Sequence, residues 1–184
     1  MSPILGIIAS SRRAGDNYES IATVTVGSGG ASTITFSSIP NTYQHLQIRG
    51  IARSSSTPGN VSIAYNSDTG SNYAGHDLYG DGSSAAAGGG GSRVPSNIGV
   101  IAVPTSTDLA NTFGVGVVDI LDYSNTNKYK TIRVLTGFDV NGATGYILLR
   151  SELWMNTSAI ATITMSLSNF VEYSSFALYG IKGA

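Results

Sequence analysis

Cysteine is absent from the 184 residues, so the chain has no disulfide framework and no thiolate metal site. Charge is scarce as well: Lys and Arg number 10, Asp and Glu 11, and charged residues make up 11% of the chain, against roughly 25% in an ordinary soluble domain. Only three Lys and three Glu occur, so the straight-chain charged residues that favour helices are nearly missing. The net charge of −1 removes the electrostatic attraction that would draw nucleic acid or an anionic membrane as a partner. No apolar run approaches the roughly 20 residues of a membrane-crossing helix. The one apolar stretch near the start, residues 4–9, precedes Arg12 and Arg13 instead of following a basic segment. That order fits a β-prone arm better than a secretory leader.

What replaces charge is small and polar. Ser, Gly, Thr and Asn together supply 78 residues, or 42% of the chain. The hydrophobic share of 41% is nevertheless enough to build a core and excludes disorder. The length suits one domain.

Apolar and polar residues alternate in short bursts separated by turn formers, the pattern of half-buried strands. Ten strands are expected, at 21–26, 32–36, 43–53, 61–65, 98–103, 112–121, 129–135, 145–153, 160–165 and 175–181. The first two read as a hairpin across Gly27-Ser-Gly-Gly30, and Gly50-Ile51 breaks the period of the third, which a bulge would repair. Residues 66–97 read as one long loop with the tetraglycine Gly88–Gly91 as its tip and room for a short strand near 76–79. Short strands joined by turns, without helical crossovers, favour an all-β chain. The expected fold is a single antiparallel β-sandwich or jelly roll over residues 16–184, with an extended N-terminal arm of residues 1–15. Ile4, Leu5, Ile7 and Ile8 make that arm a candidate for docking on a sheet edge or a partner.

Chemistry is hard to find. Serines abound beside two histidines and eight aspartates, but no Gly-x-Ser-x-Gly elbow occurs. His45 reads as a surface or cross-strand residue. Glu152 and Glu172 are the only glutamate candidates for a glycosidase pair, and each reads as an outward-facing charge. The oxygen donors at 66–70 and 77–81 lack the twelve-residue calcium loop and its final Glu, so they read as turns. The glycine clusters lack the lysine and helix of a phosphate cradle. Lys128, Lys130 and Arg133 form the one basic cluster and read as solvated charge. No catalytic residue, cofactor or metal is therefore expected. Among the aromatics, Tyr73 and Tyr79 with His76 form a candidate ligand loop, their rings suited to stacking on a sugar, whereas Trp154 reads as packing.

Three stretches carry a resemblance: Phe36-Ser-Ser-Ile-Pro-Asn-Thr-Tyr-Gln-His-Leu-Gln-Ile-Arg-Gly50, Asp119-Ile-Leu-Asp-Tyr-Ser-Asn-Thr-Asn-Lys-Tyr-Lys-Thr-Ile-Arg133 and Ser174-Ser-Phe-Ala-Leu-Tyr-Gly-Ile-Lys182. With them the chain resembles small β-rich virion proteins of tailed bacteriophages, including cyanophages. That resemblance implies a non-enzymatic structural protein located in the virion, with other virion proteins as partners: the major capsid protein, or components of the tail. A capsid decoration role, as a homo-oligomer of three copies docked through the arm, is the leading expectation. A tail-fibre or baseplate protein presenting loops to a host glycan is the alternative, and a carbohydrate-binding module resting on Tyr73, Tyr79 and Trp154 is a third. The family brings no catalytic residues to carry over.

Overall fold

The alternating segments become twelve β-strands, and no α-helix forms among the described residues. The structure is a computed structural model that describes residues 17–57, 59–142 and 145–183. The arm of residues 1–15, with Ile4, Leu5, Ile7 and Ile8, lies outside the described residues. In chain order the strands are β1 (Tyr18–Thr25), β2 (Ala31–Phe36), β3 (His45–Ala52), β4 (Asn60–Tyr65), β5 (Tyr73–Gly80) and β6 (Ala85–Arg93). After a 3-10 turn at Pro95–Asn97 come β7 (Gly99–Ala102), β8 (Gly114–Leu121), β9 (Lys130–Asp139), β10 (Gly145–Trp154), β11 (Ile163–Phe170) and β12 (Ser175–Ile181). They assemble into an eight-stranded sheet ordered β1-β12-β3-β8-β9-β10-β5-β6 and a four-stranded sheet ordered β2-β11-β4-β7. All pairs are antiparallel, as the absence of helical crossovers requires.

Period-two alternation fixes which side chains meet between the sheets. Leu46, Ile48, Val118, Ile120, Ile132, Val134, Phe176 and Leu178 point inward from the large sheet, and Ile34, Phe36, Val61, Ile63, Tyr65, Met165 and Phe170 from the small one. All belong to one buried cluster, so the two sheets form a sandwich around a single core. Trp154 sits inside it, fully buried against Tyr65, with ring centroids 5.5 Å apart.

Three local expectations give way to a different arrangement. Strands β1 and β2 do not form a hairpin. β1 pairs with β12 in the large sheet and β2 with β11 in the small one, so Gly27–Gly30 is a corner between layers. Gly30, at φ +69°, is held there because a Cβ would lie 2.9 Å from the Phe170 carbonyl. Nor is there a bulge at Gly50, since β3 keeps unbroken register with both neighbours. Gly50 takes a core position under Ile101 and Phe176, which leaves Ile51 facing outward at 44% exposure. The apparent break in period is therefore a small core residue beside an exposed apolar one.

The third difference is largest. Most of residues 66–97 is a hairpin of β5 and β6, not a loop, and the tetraglycine lies in the edge strand instead of at a tip. Glycine lets neighbours lie flat across that edge: a Cβ on Gly89 would stand 2.2 Å from the His76 ring, and one on Gly88 2.7 Å from Asp77 Oδ1. The turn is held by Asp81, whose carboxylate accepts the Ser83 N–H at 2.9 Å and the Ser84 N–H at 2.7 Å. Those bonds lower the carboxyl to about 2.

Candidate docking face on the large sheet

The outward side of the large sheet carries several exposed large hydrophobic side chains among the described residues. Register across six strands, β3, β8, β9, β10, β5 and β6, aligns the outward residues in rows that run perpendicular to the chains. One row carries Ile51, Val115, Gly137, Ile147 and Gly80, and the next carries Arg49, Val117, Leu135, Leu149 and Leu78. A third row turns polar, with Gln47, Asp119, Arg133, Ser151 and His76. Ile51, Leu78, Val115, Leu135, Ile147 and Leu149 are each 44–61% exposed. An antiparallel sheet with one face in water is expected to be polar on that face, so two adjacent apolar rows call for a partner.

The rows are not flat. Gly137 contributes no side chain between Val115 and Ile147, and the hollow there is part of a groove of about 740 Å³. Ridge and hollow are thus neighbours on the same strand, Leu135 beside Gly137.

The only charge in the two rows is already engaged. The Arg49 guanidinium lies 5.4 Å from the Tyr18 ring centre and 5.6 Å from that of Tyr179, and the two rings stack at 4.9 Å. Arg49 Nε also donates to Gln47 Oε1 at 2.9 Å, and Gln47 Nε2 donates to Asp119 Oδ1 at 2.7 Å. Burial, against the pull of Arg49, raises the Tyr18 hydroxyl above its ordinary value.

The residues expected from sequence to form a ligand loop do not converge. Tyr73 is fully buried; its hydroxyl accepts the Tyr65 N–H at 3.2 Å and donates to the Asp68 carbonyl at 3.0 Å, and burial pushes it up to about 12. His76 is exposed on the opposite face of β5, and Tyr79 is half-buried against Tyr146 at 5.5 Å. Trp154 is a core residue that donates through Nε1 to Asp68 Oδ2 at 2.8 Å. Asp68 also accepts from Gly70 and Asn72, so this segment is a turn.

The two candidate glutamates do not share an element. Glu172 follows β11, while Glu152 lies on β10 and faces the interior, contrary to the outward placement expected of it. Burial pushes Glu152 up to about 8. Its carboxyl oxygens and the Tyr65 hydroxyl have no hydrogen-bond partner among the described residues. Lys130 is likewise not a solvated charge: its ammonium is buried and donates to the carbonyls of Asn125, Lys128 and Thr157. His45 Nδ1 accepts the Asp122 N–H at 3.0 Å, a cross-strand role. Among the described residues no three His, Asp or Glu side chains cluster as metal ligands.

The docking face escapes a reading based on strands alone, although its signal is in the sequence. Ile147-Leu148-Leu149 and Val117-Val118 place apolar residues on both sides of their strands, the mark of a strand buried on both faces. No family model matches the chain, and no curated protein or solved structure gives a significant match.

Proposed function

We propose that this chain is a non-enzymatic structural protein of a tailed-phage virion, a decoration protein that docks on the capsid through residues 1–15. One observation supports a structural role most directly: two rows of exposed apolar side chains, with Arg49 held against the Tyr18 and Tyr179 rings beside them, suit burial against protein. Extended arms that add a strand to a neighbour's sheet are a recurrent docking mode, and a cysteine-free sandwich tolerates any redox compartment. Against the glycan-binding alternatives stands the burial of Tyr73 and Trp154, which leaves neither ring free to stack on a sugar.

Cosedimentation of the purified chain with heads and, separately, with tails of the phage that carries it tests the proposal. Saturable binding to heads at a fixed ratio to capsid subunits is expected, and removal of residues 1–13 abolishes it while the β-sheet circular dichroism persists. Binding confined to tails moves the protein to the fibre or baseplate. Binding to neither overturns the virion reading.

A further inference from the structure

We propose that the outer face of the large sheet is covered by a second copy of this chain, packed sheet to sheet about a two-fold axis running across the strands between the two apolar rows. This rests on reading that face as a protein-docking surface, but not on the virion assignment.

The shape of the face argues for self-pairing. A two-fold axis between the rows lays the first row of one copy over the second row of the other, strand upon equivalent strand. Leu135 of each copy then enters the hollow at Gly137 of its mate, because the two residues are two apart on β9 and both line the same groove. On β8, Val117 meets Val115, and on β10, Leu149 meets Ile147, each contact made twice. Ridge and hollow on one strand are what an isologous contact requires, whereas an unrelated partner would need only one of them. Two sheets packed this way keep the roughly 10 Å spacing and roughly −30° crossing of an ordinary sandwich, so the seam repeats the packing already present inside each copy.

Area and charge agree with this. The six half-exposed side chains offer on the order of 500–600 Å² of apolar surface, at the top of what a monomer leaves bare. Together with Val117, Ala177 and the bare backbone at Gly137 and Gly80, the face approaches the roughly 800 Å² per partner of a stable interface. Arg49 keeps its charge on β3, held against Tyr18, Tyr179 and Gln47, whereas the stretch of the two rows across β8, β9, β10 and β5 carries no charge to select an acidic or basic partner. Copies of net charge −1 barely repel. The polar row from Gln47 to His76 supplies a hydrated rim.

Light scattering coupled to size exclusion on the full chain, at micromolar concentrations, tests the inference. The parent runs as twice 19.0 kDa. Leu135→Lys and Leu149→Lys each weaken the dimer at least 100-fold with unchanged far-ultraviolet circular dichroism, since both side chains point outward. Thr131→Lys, an exposed position on the same strand beyond the apolar rows, leaves the dimer intact. A monomeric parent, a trimer, or a dimer indifferent to both leucine variants overturns the two-fold seam. A monomer that still cosediments with heads would refute this seam alone, and a dimer that binds neither heads nor tails would refute the virion reading alone.

Discussion

Arg150 grips Asp77, with Nη2 2.8 Å and Nε 3.2 Å from the same carboxylate oxygen, and thereby leaves Glu152 at 3.6 Å, beyond hydrogen-bonding distance. One cation is shared by two inward carboxyls and gives its hydrogen bonds only to the first. Glu152 answers by staying protonated, because burial costs its charged form more than Arg150 returns.

A pH dependence follows, with its sign fixed by the direction of that shift. Below the ordinary carboxyl value of 4.5 Glu152 is protonated whether the chain is folded or not, and it imposes no penalty. Between 4.5 and about 8 the unfolded chain loses the proton while the folded one keeps it, so stability falls as pH rises and levels off above the folded value. The loss is on the order of 3–5 kcal/mol. Glu152→Gln keeps the shape and removes the titration. Urea unfolding should find variant and parent alike near pH 4.5 and the variant more stable near pH 8.5. Equal slopes of stability against pH in the two proteins would refute this assignment.

Arg53 is a buried cation that supports a loop instead of opposing an acid. Its guanidinium donates to the carbonyls of Thr105, Asp108, Leu109 and Thr112 at 2.6–3.0 Å, and so ties residues 105–112 to the end of β3. Arg53→Met would strand those carbonyls and cost about 2–4 kcal/mol. Amide hydrogen exchange should show the loop opening well before the sheets, while a variant that loses protection uniformly would mean that Arg53 supports the core directly.

How much of this was legible depends on how each segment signals itself. Strands β7, β8, β10 and β12 could be read within two residues because Ile, Val and Leu alternate with polar residues, whereas the expected 129–135 and 160–165 stop four and five residues short of the ends of β9 and β11. Strand β5 showed only as a short strand near 76–79, and β6 not at all, since Ala85–Arg93 is almost all Ala and Gly and has no side-chain alternation to read. What makes it a strand is pairing with β5, a long-range fact. The candidate site failed for a related reason. Tyr73 looked available because its segment looked like a loop, and once that segment pairs, alternation drives Tyr73 into the core and His76 to the opposite side. The docking face was written in doubled apolar residues, but doubling says only that both sides of a strand need cover, not what covers the outer one.

Gly50 offers a test of the close approach between layers. An added Cβ would lie 2.6 Å from Ile101 Cδ1 and 2.8 Å from the Phe176 ring. Gly50→Ala should cost about 1–3 kcal/mol by overpacking. Ile101→Val removes the atom in closest conflict and creates a small void of its own. The double variant should therefore lose less than the sum of the two single losses, by about 1 kcal/mol. Strict additivity in urea unfolding would mean that the backbone shifts at Gly50 instead of Ile101 yielding.

Tyr73 and Tyr79 separate the structural from the binding role of the aromatics, because one is sealed in and the other is not. Removing the Tyr73 hydroxyl takes the acceptor from the buried Tyr65 N–H and the donor from the Asp68 carbonyl, so Tyr73→Phe should cost about 1–3 kcal/mol in urea unfolding. Tyr79→Ala loses a half-exposed stack on Tyr146, worth about 0.5–1.5 kcal/mol beyond the area it buries. Binding to virion heads should be unaltered in both variants when measured under conditions where each is folded, since neither ring belongs to residues 1–15, through which docking is proposed. A folded Tyr79→Ala protein that no longer binds its target would place a contact on the inward face of the β5–β6 hairpin and return the glycan reading to the lead.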